Sequence, residues 1–198
     1  MSDYNRERVV VYNTVQMYRH DRLAYLKAMV SRAEEAGHRC GVKIVRGAYM
    51  EKERERASYL GHPSPIQPDK SSADRDFDLA MHWVLKRIDH VHLVAGSHNE
   101  ESNLKLCELM AKTGLESGDE RVTFAQLLGM SDPITFNLSA NGYNVAKYVP
   151  YGPIREAIPY LIRRAQENTS VAGQTSRELT LLREEQQRRR QSSNQRGV

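Results

Sequence analysis

Cysteine is scarce in this 198-residue chain, where Cys40 and Cys107 stand in separate segments without a CxxC partner. That excludes a disulfide framework and a cysteine-ligated zinc site, and no metal is expected. Long hydrophobic runs are also missing. Nothing approaches the roughly 18 uncharged apolar residues that a membrane span needs, and the opening MSDYNRER lacks the apolar core of a secretory signal. A cytoplasmic location is expected. Charge of one sign is not in large excess, since 29 Lys and Arg against 25 Asp and Glu leave +4. Most of that excess sits in the segment from Arg177 to Val198, with six arginines and three glutamates, so the body is close to neutral and no nucleic-acid partner is expected. What remains is 39% hydrophobic and 27% charged, with a mean hydropathy of -0.66. This is the composition of a folded body carrying a polar appendage, of a length that suits one domain.

Within the body, short β-rich runs alternate with longer amphipathic stretches. Strands are expected at 9–16 (VVVYNTVQ), 42–45, 90–95, 122–126 and 143–148. Helices are expected at 20–36, with Asp21 as cap and Gly37 as terminator, then in the first part of EKERERASYL. Further helices are expected at 77–88, 100–113, about 132–140 and 153–168, and the His-Pro-Ser-Pro segment must be a loop. The order is α/β with a parallel sheet and crossover helices, which admits an open doubly wound sheet or a (β/α) barrel. No GxGxxG follows any strand, so the dinucleotide fingerprint is absent. No Ser/His/Asp or Cys/His arrangement for nucleophilic catalysis is visible either.

In a barrel the chemistry belongs at the C-terminal ends of the strands. Those ends are polar here: Gln16, the run from Lys43 through Arg46, Gly47 and Ala48 to Tyr49, then Ser97, His98 and Asn99, then Gln126, and finally Lys147 and Tyr148. Taken one at a time these have ordinary explanations, Ser97 or Asn99 as a helix cap and Gly47 as a turn. The last helix carries Tyr160, Arg163, Arg164 and Glu167 on neighbouring positions of one side. Glu167 can pair with Arg163, leaving guanidinium groups beside an aromatic ring, an arrangement suited to a small carboxylate with an apolar body.

Together these motifs are familiar. VKIVRGAYMEKER, AGSHNEE, GYNVAKYVPYGP and YLIRRAQENTS resemble, in order and spacing, the proline dehydrogenase family, and they cover most of residues 9–172. The resemblance implies a distorted (β/α)8 barrel, of which this chain supplies about the last five βα units over residues 1–172, followed by a basic, partly disordered tail over 173–198. It implies oxidation of L-proline to 1-pyrroline-5-carboxylate with FAD, and a quinone as electron acceptor. Carried over position by position, Arg163 and Arg164 clamp the substrate carboxylate, Glu167 holds that pair, and Tyr148 and Tyr160 wall the proline ring. Arg46, Gly47 and Ala48 match flavin-contacting positions, as do Gln16, Ser97 and His98. Lys43, the catalytic assignment, stands where some members carry arginine beside the flavin, and Tyr49 matches an aromatic position near the substrate.

The family's barrel has eight strands, so the resemblance implies that this chain begins at the fourth. A fragment of a longer product is then expected, or a chain completed by a partner or another copy, or a truncated reading frame. The basic tail would bring such an enzyme to a quinone-bearing membrane surface as a peripheral protein. Two other readings are open: an inactive βα scaffold whose basic tail binds an acidic partner, and a barrel enzyme for phosphorylated substrates, which would need a better phosphate cradle than Tyr151-Gly152-Pro153.

Overall fold

The computed structural model describes residues 1–170, with only the backbone of 165–170, together with Thr180, Arg183, Glu184 and 186–188. It divides into two compact units, Met1–Val149 and Pro150–Val198. Most of the basic tail lies outside the described residues.

The first unit is a sheet of five parallel strands, β1 (Tyr12–Gln16), β2 (Cys40–Val45), β3 (Val91–Gly96), β4 (Val122–Leu127) and β5 (Val145–Tyr148), paired in chain order. Its helices are α1 (Arg22–Glu35), α2 (Met50–Tyr59), α3 (Lys70–Leu85), α4 (Glu100–Lys112) and α5 (Asp132–Ala140). A doubly wound sheet reverses its strand order at a switch point, and this one does not. Val15, Val42, Ile44, Leu93, Ala95, Val122 and Phe124 point to one side, where they join Leu26, Val30, Phe77, Met81, Val84, Leu106 and Met110 from the helices in one buried core. The alternate residues Thr14, Lys43, His92, Val94 and Thr123 face the other way and are half-buried or exposed. Sequential parallel order with helices on one face is barrel-type architecture.

The element boundaries differ from the periodicity reading for local reasons. Residues 9–11 do not join the ladder, because the buried Asn5 side chain accepts from Val10 N (3.0 Å) and Val11 N (2.9 Å) and donates to Val11 O (2.7 Å). Asp21 does not cap α1 through its side chain, since the forks of Arg19 and Arg22 hold its carboxylate. Helix α3 begins seven residues before the expected start, because Asp69 accepts from Ser72 N at 2.7 Å and the polar first turns follow from that cap. Strand β5 starts at Val145, because the Asn144 side chain turns aside to donate to the carbonyls of Gly118 (3.1 Å) and Asp119 (2.7 Å).

In the second unit, α6 (Ile154–Ser170) matches the expected last helix and carries Pro159 in its interior.

Candidate active site

Parallel pairing in chain order brings the C-terminal ends of all five strands to one edge of the sheet. Gln16, Lys43, Arg46, Gly47, Ala48, Ser97, His98 and Tyr148 all lie on or just beyond these strands in the first unit, and Tyr49, 37% exposed, stands at the start of α2. Tyr160, Arg163 and Arg164 lie on α6 in the second unit, where the Arg164 guanidinium stacks 5.0 Å from the centre of the Tyr160 ring. The Glu167 side chain, and with it the expected pairing to Arg163, lies outside the described residues.

Lys43 projects from the non-core face of β2, and burial lowers its pKa. Its ammonium stands 5.3 Å from the centre of the Tyr148 ring on β5. The side chain passes over Gly96, where a Cβ would come within 3.4 Å of Lys43 Cε and 2.8 Å of Val45 Cγ1. Glycine there keeps the path open.

Arg46 is held on all sides by its own chain. Its Nε donates to Asp74 of α3, Nη1 to Ser97 Oγ at 3.0 Å and Nη2 to Ser102 Oγ at 2.8 Å, while the guanidinium stacks 4.5 Å from the Phe77 ring. The Asp74 carboxyl pKa is lowered: burial works to raise it, and the hydrogen bonds from Lys70 and Arg46 outweigh that. One planar cation thus ties the end of β2 to α3, α4 and the end of β3. Gly47 follows with φ +122, and a Cβ there would fall inside the Tyr18 ring. Only glycine allows that approach.

Asn99 is the cap of α4, accepting from Ser102 N at 2.9 Å, and Ser97 Oγ accepts in turn from Asn99 N at 3.1 Å. Ser97 is therefore a buried junction. Gln126, 2% exposed, donates to Ser97 O at 3.3 Å, and its Oε1 lies 3.0 Å from the Thr135 hydroxyl. His98 Nδ1 is 2.9 Å from Ser131 Oγ. Sequence reasoning misses Asp74, Ser102, Thr135 and Ser131, whose partners lie outside their own segments. The hydroxyl before Asp132-Pro133 signals a helix start and nothing more. Among the described residues no group of three or more His, Cys, Asp or Glu is placed to hold a metal, and no helix is long and apolar enough to cross a membrane.

A family model described as proline dehydrogenase matches residues 1–177. This chain belongs to the proline dehydrogenase family. Proline dehydrogenase 1, mitochondrial, from Homo sapiens is 40% identical over 182 residues, which are 90% of this chain and 30% of that protein. Hydroxyproline dehydrogenase from Xenopus laevis is 40% identical over 192 residues, 95% of this chain and 41% of that protein. Among solved structures, proline utilization A from Bdellovibrio bacteriovorus, inactivated by N-propargylglycine, superposes with a TM-score of 0.75 at 30% identity. That match covers 81% of this chain and 17% of the other. The chain thus spans less than half the length of these proline dehydrogenase relatives. The strand-end motifs that carry the family resemblance are the ones that parallel pairing gathers at one edge.

Proposed function

We propose that this chain forms the C-terminal part of a proline-oxidising barrel, converting L-proline to 1-pyrroline-5-carboxylate with FAD and passing the electrons to a quinone. The observation that carries the reading is the gathering of Gln16, Lys43, Arg46, Ser97, His98 and Tyr148 at one sheet edge, in a chain of this family. Their chemistry fits a flavin: an amine, an amide and an imidazole offer it polar and hydrogen-bonding groups.

The chemistry that FAD supplies when bound is acceptance of the hydride leaving the carbon next to the proline nitrogen, whose own proton departs to solvent. Lys43 sets a cation beside the reacting face and offsets negative charge that develops there. Tyr148, which stands beside Lys43, and Tyr160 are each assigned to the substrate ring by their match to the family's motifs, as Tyr49 is to the neighbourhood of the substrate. Arg163 and Arg164 are assigned the carboxylate by their match to the family's motif, with Glu167 as their support. Arg46, Gly47 and Ala48, with Gln16, Ser97 and His98, are assigned to the cofactor on the same ground.

Strands β1 and β5 each pair on one side only among the described residues. Open edges of this kind call for pairing, and three further βα units, from a longer product or another copy, would close the barrel. For location we propose the surface of a quinone-bearing membrane, reached through the basic tail. Relatives named mitochondrial make this a mitochondrial membrane as readily as the cytoplasmic face of a cell membrane.

The test is steady-state reduction of a quinone analogue by the FAD-loaded complete barrel. Arg163→Ala raises the KM for L-proline by roughly 30-fold to 1000-fold, as loss of a buried charged contact of about 2–4 kcal/mol requires. A KM that barely moves removes the clamp assignment. Relatives named hydroxyproline dehydrogenase reach 42% identity, so the same assay is run with hydroxyproline, and the ratio of the two kcat/KM values names the substrate.

A further inference from the structure

Ser131 opens α5, yet its hydroxyl caps no backbone amide there. It lies instead 2.9 Å from Nδ1 of His98, in the turn after the neighbouring strand β3. The residue that makes this contact is 6% exposed and has φ +53, the only positive φ outside glycine among the described residues. L side chains avoid that conformation, and where it persists the surroundings must impose it.

The surroundings do so here. The Ser131 carbonyl accepts from Thr135 N at 3.1 Å and lies 3.2 Å from the Thr135 hydroxyl. That hydroxyl lies 3.0 Å from Gln126 Oε1, and Gln126 Nε2 donates at 3.3 Å to the carbonyl of Ser97. The path thus returns to the residue preceding His98, so the histidine is gripped through its backbone neighbour and through its ring. Ser97, Gln126, Ser131 and Thr135 are all buried. Placing four polar side chains in a buried layer is costly unless each is paired, and apolar residues would fill the same space without that requirement.

We propose that Ser131 is a positioning residue for His98: its hydroxyl holds the imidazole at Nδ1 and sets the orientation and tautomer of the ring that meets the cofactor. The geometry stands without ligand. The consequence for the cofactor rests on the proposed reading of His98 as a flavin contact.

The variant Ser131→Gly separates the effects, because glycine adopts the left-handed backbone without strain and only the hydroxyl is lost. The His98 ring is followed in the ¹⁵N-labelled chain by long-range ¹H–¹⁵N correlation, assigned with His98→Asn, and FAD affinity is measured on the complete barrel. In Ser131→Gly the His98 tautomer ratio shifts by about threefold or more while signals remote from the turn stay in place. FAD binding weakens by about 2-fold to 10-fold, the loss expected for one hydrogen bond. Unchanged His98 nitrogen shifts and tautomer ratio overturn the proposal. So does an FAD affinity equal to that of the parent despite altered His98 signals. If the parent barrel takes up no FAD while His98 responds to the substitution, the positioning contact stands and the flavin reading is the one that fails.

Discussion

Arg46 and His92 occupy opposite ends of the strand layer, and their surroundings assign them opposite tasks. The guanidinium of Arg46 is satisfied by Asp74, Ser97 and Ser102 and covered by Phe77, so it acts as a joint between elements as much as a charge presented outward. A lysine there would supply the charge but not the fork. His92 lies on the non-core face of β3, where burial first, and then the positive charge of Arg39, lower its pKa against the opposing pull of Glu120 and Asp119. The unfolded chain binds a proton that the folded chain resists, so stability is full above the ordinary histidine value of about 6.5 and is lost as pH falls toward the lowered one. Urea midpoints taken at about pH 7.5 and about pH 5.5 will show a decrease, and His92→Gln will make that decrease smaller. An equal decrease in the variant would show that the effect belongs to other groups.

At the level of the elements, capping decides where helices begin, and one substitution measures it. Asn99→Ala removes the side chain that accepts from Ser102 N, and a loss of about 1 kcal/mol in urea unfolding is expected. No loss would mean that the turn is held by Arg46 and Ser97 alone. How much could be read from the chain follows the same division between local and distant causes. All five strands and the helices α1, α4, α5 and α6 were legible, because apolar periodicity and Gly or Asx punctuation are local signals. The early start of α3 was hidden by its polar first turns, Lys70, Ser71, Ser72, Asp74 and Arg75, which hold no apolar stripe although Ala73 and Phe77 are buried. The strand-end positions Lys43, Arg46 and His98 were legible as polar residues where apolar ones would do. Their partners were not, since Asp74 is 28 positions from Arg46 and Ser131 is 33 from His98. Contacts at that separation are products of the sheet, and periodicity carries no trace of them.

For the molecule as a whole, the curl of the sheet is the property that turns a row of strands into a site. Lys43 on β2 and Tyr148 on β5 are separated by two strands, roughly 14 Å across a flat sheet, and the register sets Tyr148 four residues, roughly 13 Å, further along the strands. Their side chains nonetheless approach to 5.3 Å, across the small residues Gly96 and Ala125. Strands β2 and β5 therefore face one another over a concave surface, as the walls of a barrel do. In the proposed function this surface, closed into a complete barrel, sets L-proline against a flavin. Its most direct test is anaerobic mixing of L-proline with the FAD-loaded complete barrel, followed by the visible absorbance of the flavin. Loss of that absorbance is expected, at a rate that saturates with proline concentration, whereas a barrel that holds FAD and keeps its absorbance at every proline concentration would contradict the proposed function.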